Sequence, residues 1–161
     1  MTTADTAQIK ALPRAEDAQA LTLMNNRIII RLRGADTNGA YSMLEYTVAP
    51  NSSGPPPHRH AFTEYFYLLD GELTFDADGE AVHARAGESV FVPGGAVHTF
   101  SNPSSQPATF QAILSPPGFE QFFEEVAARF EALGHPDLDL LLELNRRYGV
   151  EIVERGAEGS A

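Results

Sequence analysis

Apolar and polar positions alternate in short runs through the middle of this chain and then change period. Arg27-Ile28-Ile29-Ile30-Arg31-Leu32-Arg33 reads as a strand with Ile28, Ile30 and Leu32 on one face, ended by a turn between Gly34 and Gly39. Further strands are expected at 41–48, 62–69, 72–75, 81–84, 89–92, 97–101 and 108–114, separated by Gly, Pro, Asn and Ser. Asp70-Gly71 is expected to close a two-residue hairpin between the runs on either side of it, and Asp78-Gly79 repeats the signal. Many short strands with frequent turns suit an all-β barrel or sandwich.

Beyond Ser115-Pro116-Pro117-Gly118 the spacing becomes helical. Phe119, Phe122, Phe123, Val126, Phe130 and Leu133 share one face, and Gly134 stands where a helix would stop. A second helix is expected after Pro136, carrying Leu138, Leu141, Leu142 and Tyr148 before Gly149. The opening stretch lacks any periodicity and reads as a mobile arm, or as a strand that pairs only on assembly. The chain therefore divides into an arm at 1–26, a β-body at 27–115, a helical extension at 116–153 and a small, polar, disordered tail at 154–161.

Composition narrows the class. The chain of 161 residues suffices for one closed core, and 13 Gly with 11 Pro favour a loop-rich β-body over a helical bundle. Cysteine is absent, which excludes a disulfide framework and thiolate metal sites and is compatible with a reducing cytoplasm. No apolar stretch approaches the roughly twenty residues of a membrane span, and the start is polar and mixed in charge rather than a signal peptide. A cytoplasmic location with no membrane partner is the expectation. A net charge of −11 speaks against nucleic acid as a partner, since a phosphate backbone needs clustered Lys and Arg.

Candidate chemistry sits in two stretches, His58-x-His60-x3-Glu64-x6-Gly71 and Gly87-x5-Pro93-x-Gly95-x2-His98-x3-Asn102. Alternate side chains of a strand share a face, so His58, His60 and Glu64 can point inward from one extended run. His98 must come from a second strand, re-aimed by the tight Pro93-Gly94-Gly95 connection. Neutral imidazoles with one carboxylate suit Fe(II), Mn(II), Ni(II), Zn(II) or Cu(II), whereas Ca(II) and Mg(II) prefer oxygen shells. An octahedral metal held by these four groups keeps positions open to substrate, water or dioxygen. His83 and His135 fall outside both motifs and read as solvated surface groups.

These motifs resemble, with no spacing error, the two signatures of the cupin superfamily, and the layout is most similar to its single-domain, quercetin-dioxygenase-like branch. The resemblance covers about 41–114, including the Ser53-Gly54-Pro55-Pro56-Pro57 lead into His58. It implies a double-stranded β-helix, or jelly roll, with one divalent metal near the middle of the barrel, Fe(II) being favoured. By motif position His58, His60, Glu64 and His98 correspond to metal ligands, and Gly71, Gly87, Pro93, Gly95 and Asn102 to structural turn residues. A homodimer formed through sheet edges and the arm is also implied. The helical stripe fits either a lid over the barrel mouth or packing outside the sheet, and outer packing is the commoner use of such a stripe.

Parity extends the site to its lining. Phe62, Phe66 and Leu68 share the face of Glu64, and Phe100 shares the face of His98, so these four are the expected substrate-binding residues. Arg59 is the basic residue on these strands and points away, although Arg31 or Arg33 could reach in from elsewhere. A neutral or weakly acidic, partly aromatic small molecule is the expected substrate, because a polyanion would want Arg or Lys nearby. Three functions fit. The first is a dioxygenase in which Glu64 is a ligand or takes a proton; the second is a redox-neutral Zn(II) or Mn(II) isomerase or cyclase that uses Glu64 for proton transfer. The third is a non-catalytic module whose metal anchors a ligand. Regulatory members of the family usually carry a DNA-binding domain, and no helix-turn-helix pattern precedes residue 27 here.

Overall fold

A computed structural model of the protein describes residues 9–154; the tail expected at 154–161 lies outside the described residues apart from Glu154, as do residues 1–8 of the expected arm. In chain order the elements are β1 (Leu21–Leu23), β2 (Asn26–Leu32), β3 (Ser42–Val48), β4 (His58–Arg59), β5 (Thr63–Asp70), β6 (Glu72–Ala77) and β7 (Glu80–Arg85). They continue as β8 (Ser89–Val92), β9 (His98–Ser101), β10 (Ala108–Ser115), α1 (Glu120–Leu133), α2 (Leu138–Arg147) and β11 (Glu151–Ile152). The strands form two antiparallel sheets, ordered β1-β2-β3-β10-β5-β8 and β11-β4-β9-β6-β7. This is the expected all-β jelly roll.

Strict alternation explains why the sheets close face to face. Along β3 and β10 every second residue is buried, and the register sets Leu44 against Ala112 and Tyr46 against Phe110. The interior is aromatic: Phe66 packs at 5.0 Å from Phe75 and at 5.1 Å from Phe110, ring centre to ring centre. Asn102 is fully buried between the sheets, where its Nδ2 donates to the carbonyls of Ala49 and Gln106 while its Oδ1 accepts from Ser104 N–H. A buried carboxamide so satisfied staples two loops together.

Three local expectations are corrected and one is met. Asp70-Gly71 is not a hairpin, because β6 pairs with β7 and β9 and not with β5. Gly71, at φ +74°, is instead the corner where the chain leaves one sheet for the other, and a Cβ there would stand 2.7 Å from the Pro107 carbonyl oxygen. Asp78-Gly79 does close a two-residue hairpin, with both residues at positive φ and Ala77 opposite Glu80. The single extended run through 58–64 is broken after Arg59: β4 belongs to one sheet and β5 to the other, so the four candidate ligands come from three strands and a bend. In β2, a register shift between Ile30 and Leu32 sets Ile30 opposite Leu44 but Leu32 opposite Met43, so Leu32 leaves the face of Ile28 and Ile30.

The N-terminal stretch, expected to be mobile or to pair only on assembly, is tied down where it is described. β1 pairs with β2, and the Ala15 and Pro13 carbonyls accept from Arg27 and Arg31 at 2.6 Å each. At the other end, Asp137 caps α2 by accepting Leu140 N–H, and Gly134 ends α1 in the left-handed conformation. Buried Glu120 joins α1 to the barrel by accepting from the N–H groups of Gly34 and Gly118. Both helices lie outside the two sheets, α1 against β1 and α2 against α1 and β11.

Candidate metal centre and its cavity

His58 on β4 stands directly opposite His98 on β9, while His60 lies on the bend beyond β4 and Glu64 on β5. The bend is shaped by the 93–95 turn that docks on it. Gly95 N–H donates to the His60 carbonyl at 2.7 Å, and a Cβ on Gly94 would fall 2.2 Å from the Ala61 carbonyl oxygen. The Pro-Gly-Gly turn therefore aims His98 and also holds the bend that aims His60.

One nitrogen from each of His58, His60 and His98 lies within 4.8 Å of the others. The Glu64 Oε2 lies 3.0 Å from His98 Nε2 and 3.3 Å from His60 Nε2. On the far side of each ring, Nδ1 meets a backbone carbonyl: His58 with Pro56 at 2.8 Å, His60 with Phe62 at 2.9 Å and His98 with Ala96 at 2.9 Å. A carbonyl can only accept, so every Nδ1 carries its proton and every neutral ring presents the lone pair of Nε2 to the cluster.

That lone pair is the test of whether a cation fits. His60 Nε2 is buried with no hydrogen-bond partner, and His98 Nε2 faces a carboxylate oxygen that also only accepts. Without a metal, His98 must carry a second proton to satisfy Glu64. Burial works against that charge, but the Glu64 carboxylate and the Ala96 carbonyl outweigh burial and raise the His98 pKa. Burial likewise opposes the Glu64 charge, and contacts with His60 and His98 overcome it, holding the carboxyl below its ordinary range. His58 is pushed down to about 4, chiefly by burial and then by the charge on His98. A divalent ion would meet three nitrogen lone pairs and a carboxylate in place of that single shared proton, so the donor set fits a transition metal.

The cluster opens into a cavity of about 490 Å³ lined by His58, Glu64, His98 and Phe100 at its floor. Phe119 at the start of α1 and Phe122 and Phe123 on it, with Leu138, Leu141 and Asn145 of α2, form the roof, and the 23–26 turn and the 49–56 loop form the walls. The helices thus supply an aromatic lid to the same space as the histidines. No Lys or Arg among the described residues lines it. Arg59 pairs with Glu151 on the surface, Arg31 with Glu45 and Arg33 with Glu124, so none of the three basic residues considered from sequence turns inward.

Of the four expected lining residues, Phe100 lies in the cavity. Phe62 stacks on the His60 ring at 3.6 Å and touches Phe119 at 5.1 Å, bracing a histidine rather than lining the space. Phe66 and Leu68 lie deeper, sealed in the core against Phe75 and Phe110. Parity gave the face of β5 correctly but not the depth along it. Sequence reasoning did not single out Tyr46, Asn26, Phe119 or Asn145 as lining, although the strand period of β3 already turned Tyr46 inward. His83 and His135 are exposed.

Residues 44–114 match the family model described as Cupin domain, which supports membership of the cupin superfamily. Over 101 residues it is 31% identical to the quercetin 2,3-dioxygenase of Bacillus subtilis, covering 62% of this chain and 29% of that protein. Over 104 residues it is 33% identical to the tetracenomycin polyketide synthase protein TcmJ of Streptomyces glaucescens, covering 64% of this chain and 61% of that one. The chain thus spans less than two thirds of either relative. The polyketide cyclase RemF of Streptomyces resistomycificus superposes with a TM-score of 0.59 at 20% identity, over 66% of this chain and 79% of that one, which is a likeness of fold. No helix among the described residues is long and apolar enough to cross a membrane.

Proposed function

We propose that this protein is a metal-dependent dioxygenase that holds one divalent transition metal, Fe(II) by preference, through His58, His60, Glu64 and His98, and acts on a neutral or weakly acidic aromatic small molecule. The carrying observation is the set of Nδ1-to-carbonyl hydrogen bonds, which commits three Nε2 lone pairs to one point beside a carboxylate. The metal would supply Lewis acidity, redox capacity and open coordination positions. The chain supplies the rest. Phe100 and the α1 phenylalanines bind flat apolar rings, the roof excludes water, and a lining without a cationic side chain among the described residues disfavours polyanions. Glu64 is the carboxylate placed to take a proton from a substrate hydroxyl. The quercetin dioxygenase relative supports both the reaction type and a polyphenolic substrate.

A redox-neutral cyclase is the second reading, favoured by the likeness to TcmJ, a protein of a polyketide synthase. Metal analysis of tag-free protein, followed by oxygen-electrode assays with flavonols and polycyclic phenols, separates the two. Oxygen uptake that requires iron, nickel or copper is the expected result. Anaerobic turnover with bound zinc would replace the first reading by the second.

A further inference from the structure

Asn26 opens β2, Tyr46 lies on β3, and both line the cavity, each only 8% exposed. The Asn26 Oδ1 accepts Ala49 N–H at 2.9 Å, which settles the orientation of the carboxamide because a backbone N–H can only donate. The opposite end, Nδ2, then faces the Tyr46 hydroxyl at 3.2 Å. An amide NH2 has no lone pair to offer, so the phenol oxygen accepts there and its own proton must go elsewhere. Among the described residues no acceptor takes it. The ring cannot swing to find one: it stacks on Phe110 at 5.2 Å and is wedged edge-on by Phe100 at 5.9 Å and Phe123 at 6.1 Å. A buried donor left unpaired is costly, and in a cavity wall it points to a ligand atom.

We propose that Tyr46 is the substrate-orienting donor of this cavity, its hydroxyl hydrogen-bonding a carbonyl oxygen of the aromatic substrate. The inference rests on the reading of the site given under Proposed function and deepens it by naming the group recognised. Asn26 occupies the acceptor side of the phenol, so the position selects a ligand oxygen that accepts and discriminates against a group, such as an N–H, that only donates. Burial pushes the phenol up to about 12, which keeps its proton in place at any working pH. Aryl ketones such as flavones and anthrone-like polyketides carry the matching oxygen on a flat ring system.

Equilibrium titration of the metal-loaded protein with flavone and with flavan, the saturated skeleton that lacks the carbonyl, tests this. The Tyr46→Phe variant keeps the stacked ring and loses only the hydroxyl. It should weaken flavone binding about five- to tenfold and leave flavan binding unchanged. Asn26→Asp still accepts Ala49 N–H but offers the phenol an acceptor, so it should reproduce the same selective loss with the hydroxyl present. An unchanged flavone-to-flavan ratio in Tyr46→Phe overturns the inference and leaves the site reading intact. Failure of the wild type to bind either compound overturns the aromatic-substrate reading and this inference with it.

Discussion

At the floor of the cavity each histidine hangs from backbone that is hydrogen-bonded into a strand or turn, and a carbonyl fixes the rotation of each ring. At the roof, Phe119, Phe122 and Phe123 hold one another through ring contacts of 4.7 to 5.4 Å, and α1 meets the barrel at β1, a three-residue strand on the sheet edge. The floor has directional bonds and little room to adjust. The roof has apolar packing, which tolerates changes of shape at constant volume. The proposed reading thus assigns the metal to the floor and the flat faces of the substrate to the roof, with Phe62 touching both His60 and Phe119.

Removing one floor imidazole is the severest test of that separation. His60→Ala or His98→Ala should lower bound metal more than about a hundredfold, beyond the loss typical of an outer partner, with the far-UV circular dichroism of the barrel retained. Wild-type metal stoichiometry in both variants would refute the site. A roof change should do the opposite. Phe122→Ala empties a buried site and should cost about 3–5 kcal/mol in denaturant unfolding, with metal content per folded molecule unchanged; coupled loss of metal would mean that floor and roof are one unit.

Gly54→Ala probes the wall between them. Gly54 has φ +70°, and a Cβ there would fall 1.6 Å from the Phe100 carbonyl oxygen, so the loop must move. That loop carries the Pro55 and Pro56 carbonyls that hold Thr99 and His58. A stability loss of about 1–3 kcal/mol, with weakened metal binding, is expected; a variant with full affinity would show that the Pro56 contact does not position His58.

Proton competition gives the mildest effect. Metal requires neutral imidazole, and His98, whose pKa is raised, takes up a proton before His58, which resists until about 4. Apparent affinity should fall about tenfold per pH unit below the His98 midpoint and still more steeply near pH 4. In metal-free protein the signs differ. The stabilisation from raised His98 is complete at low pH and is lost as pH rises through its folded value, while that from lowered Glu64 is lost as pH falls below 4.5. A metal titration flat from pH 7 to 4 would contradict a histidine floor.

Two identical dipeptides show how far the sequence could be read. Asp78-Gly79 and Asp70-Gly71 carry the same local turn preference, yet one closes a hairpin and the other turns a corner between sheets, because pairing partners are chosen by the distant β9 and β10. The strands and the four chemistry-bearing side chains were legible because period and spacing are local properties. The break after Arg59 was not, since it depends on the 93–95 turn docking from elsewhere. β1 is too short for a period to register, and its Met24-Asn25 turn, with φ of 50° and 67°, offers a weak signal because methionine is seldom a turn residue. The apolar stripe of α1 announced that it would be buried, and only the tertiary arrangement revealed that Phe119 and Phe122 face the histidines' cavity.

Behind the cluster, Glu151 and Ile152 of β11 pair with Arg59 and His58, Arg59 grips Glu151 through two hydrogen bonds, and Val153 N–H donates to the Pro57 carbonyl. The last described strand is thereby stitched to the one that carries an imidazole. Anyone clipping the gene to 44–114 would cut that stitch as well, and a purification handle fused close behind residue 154 would tug on His58.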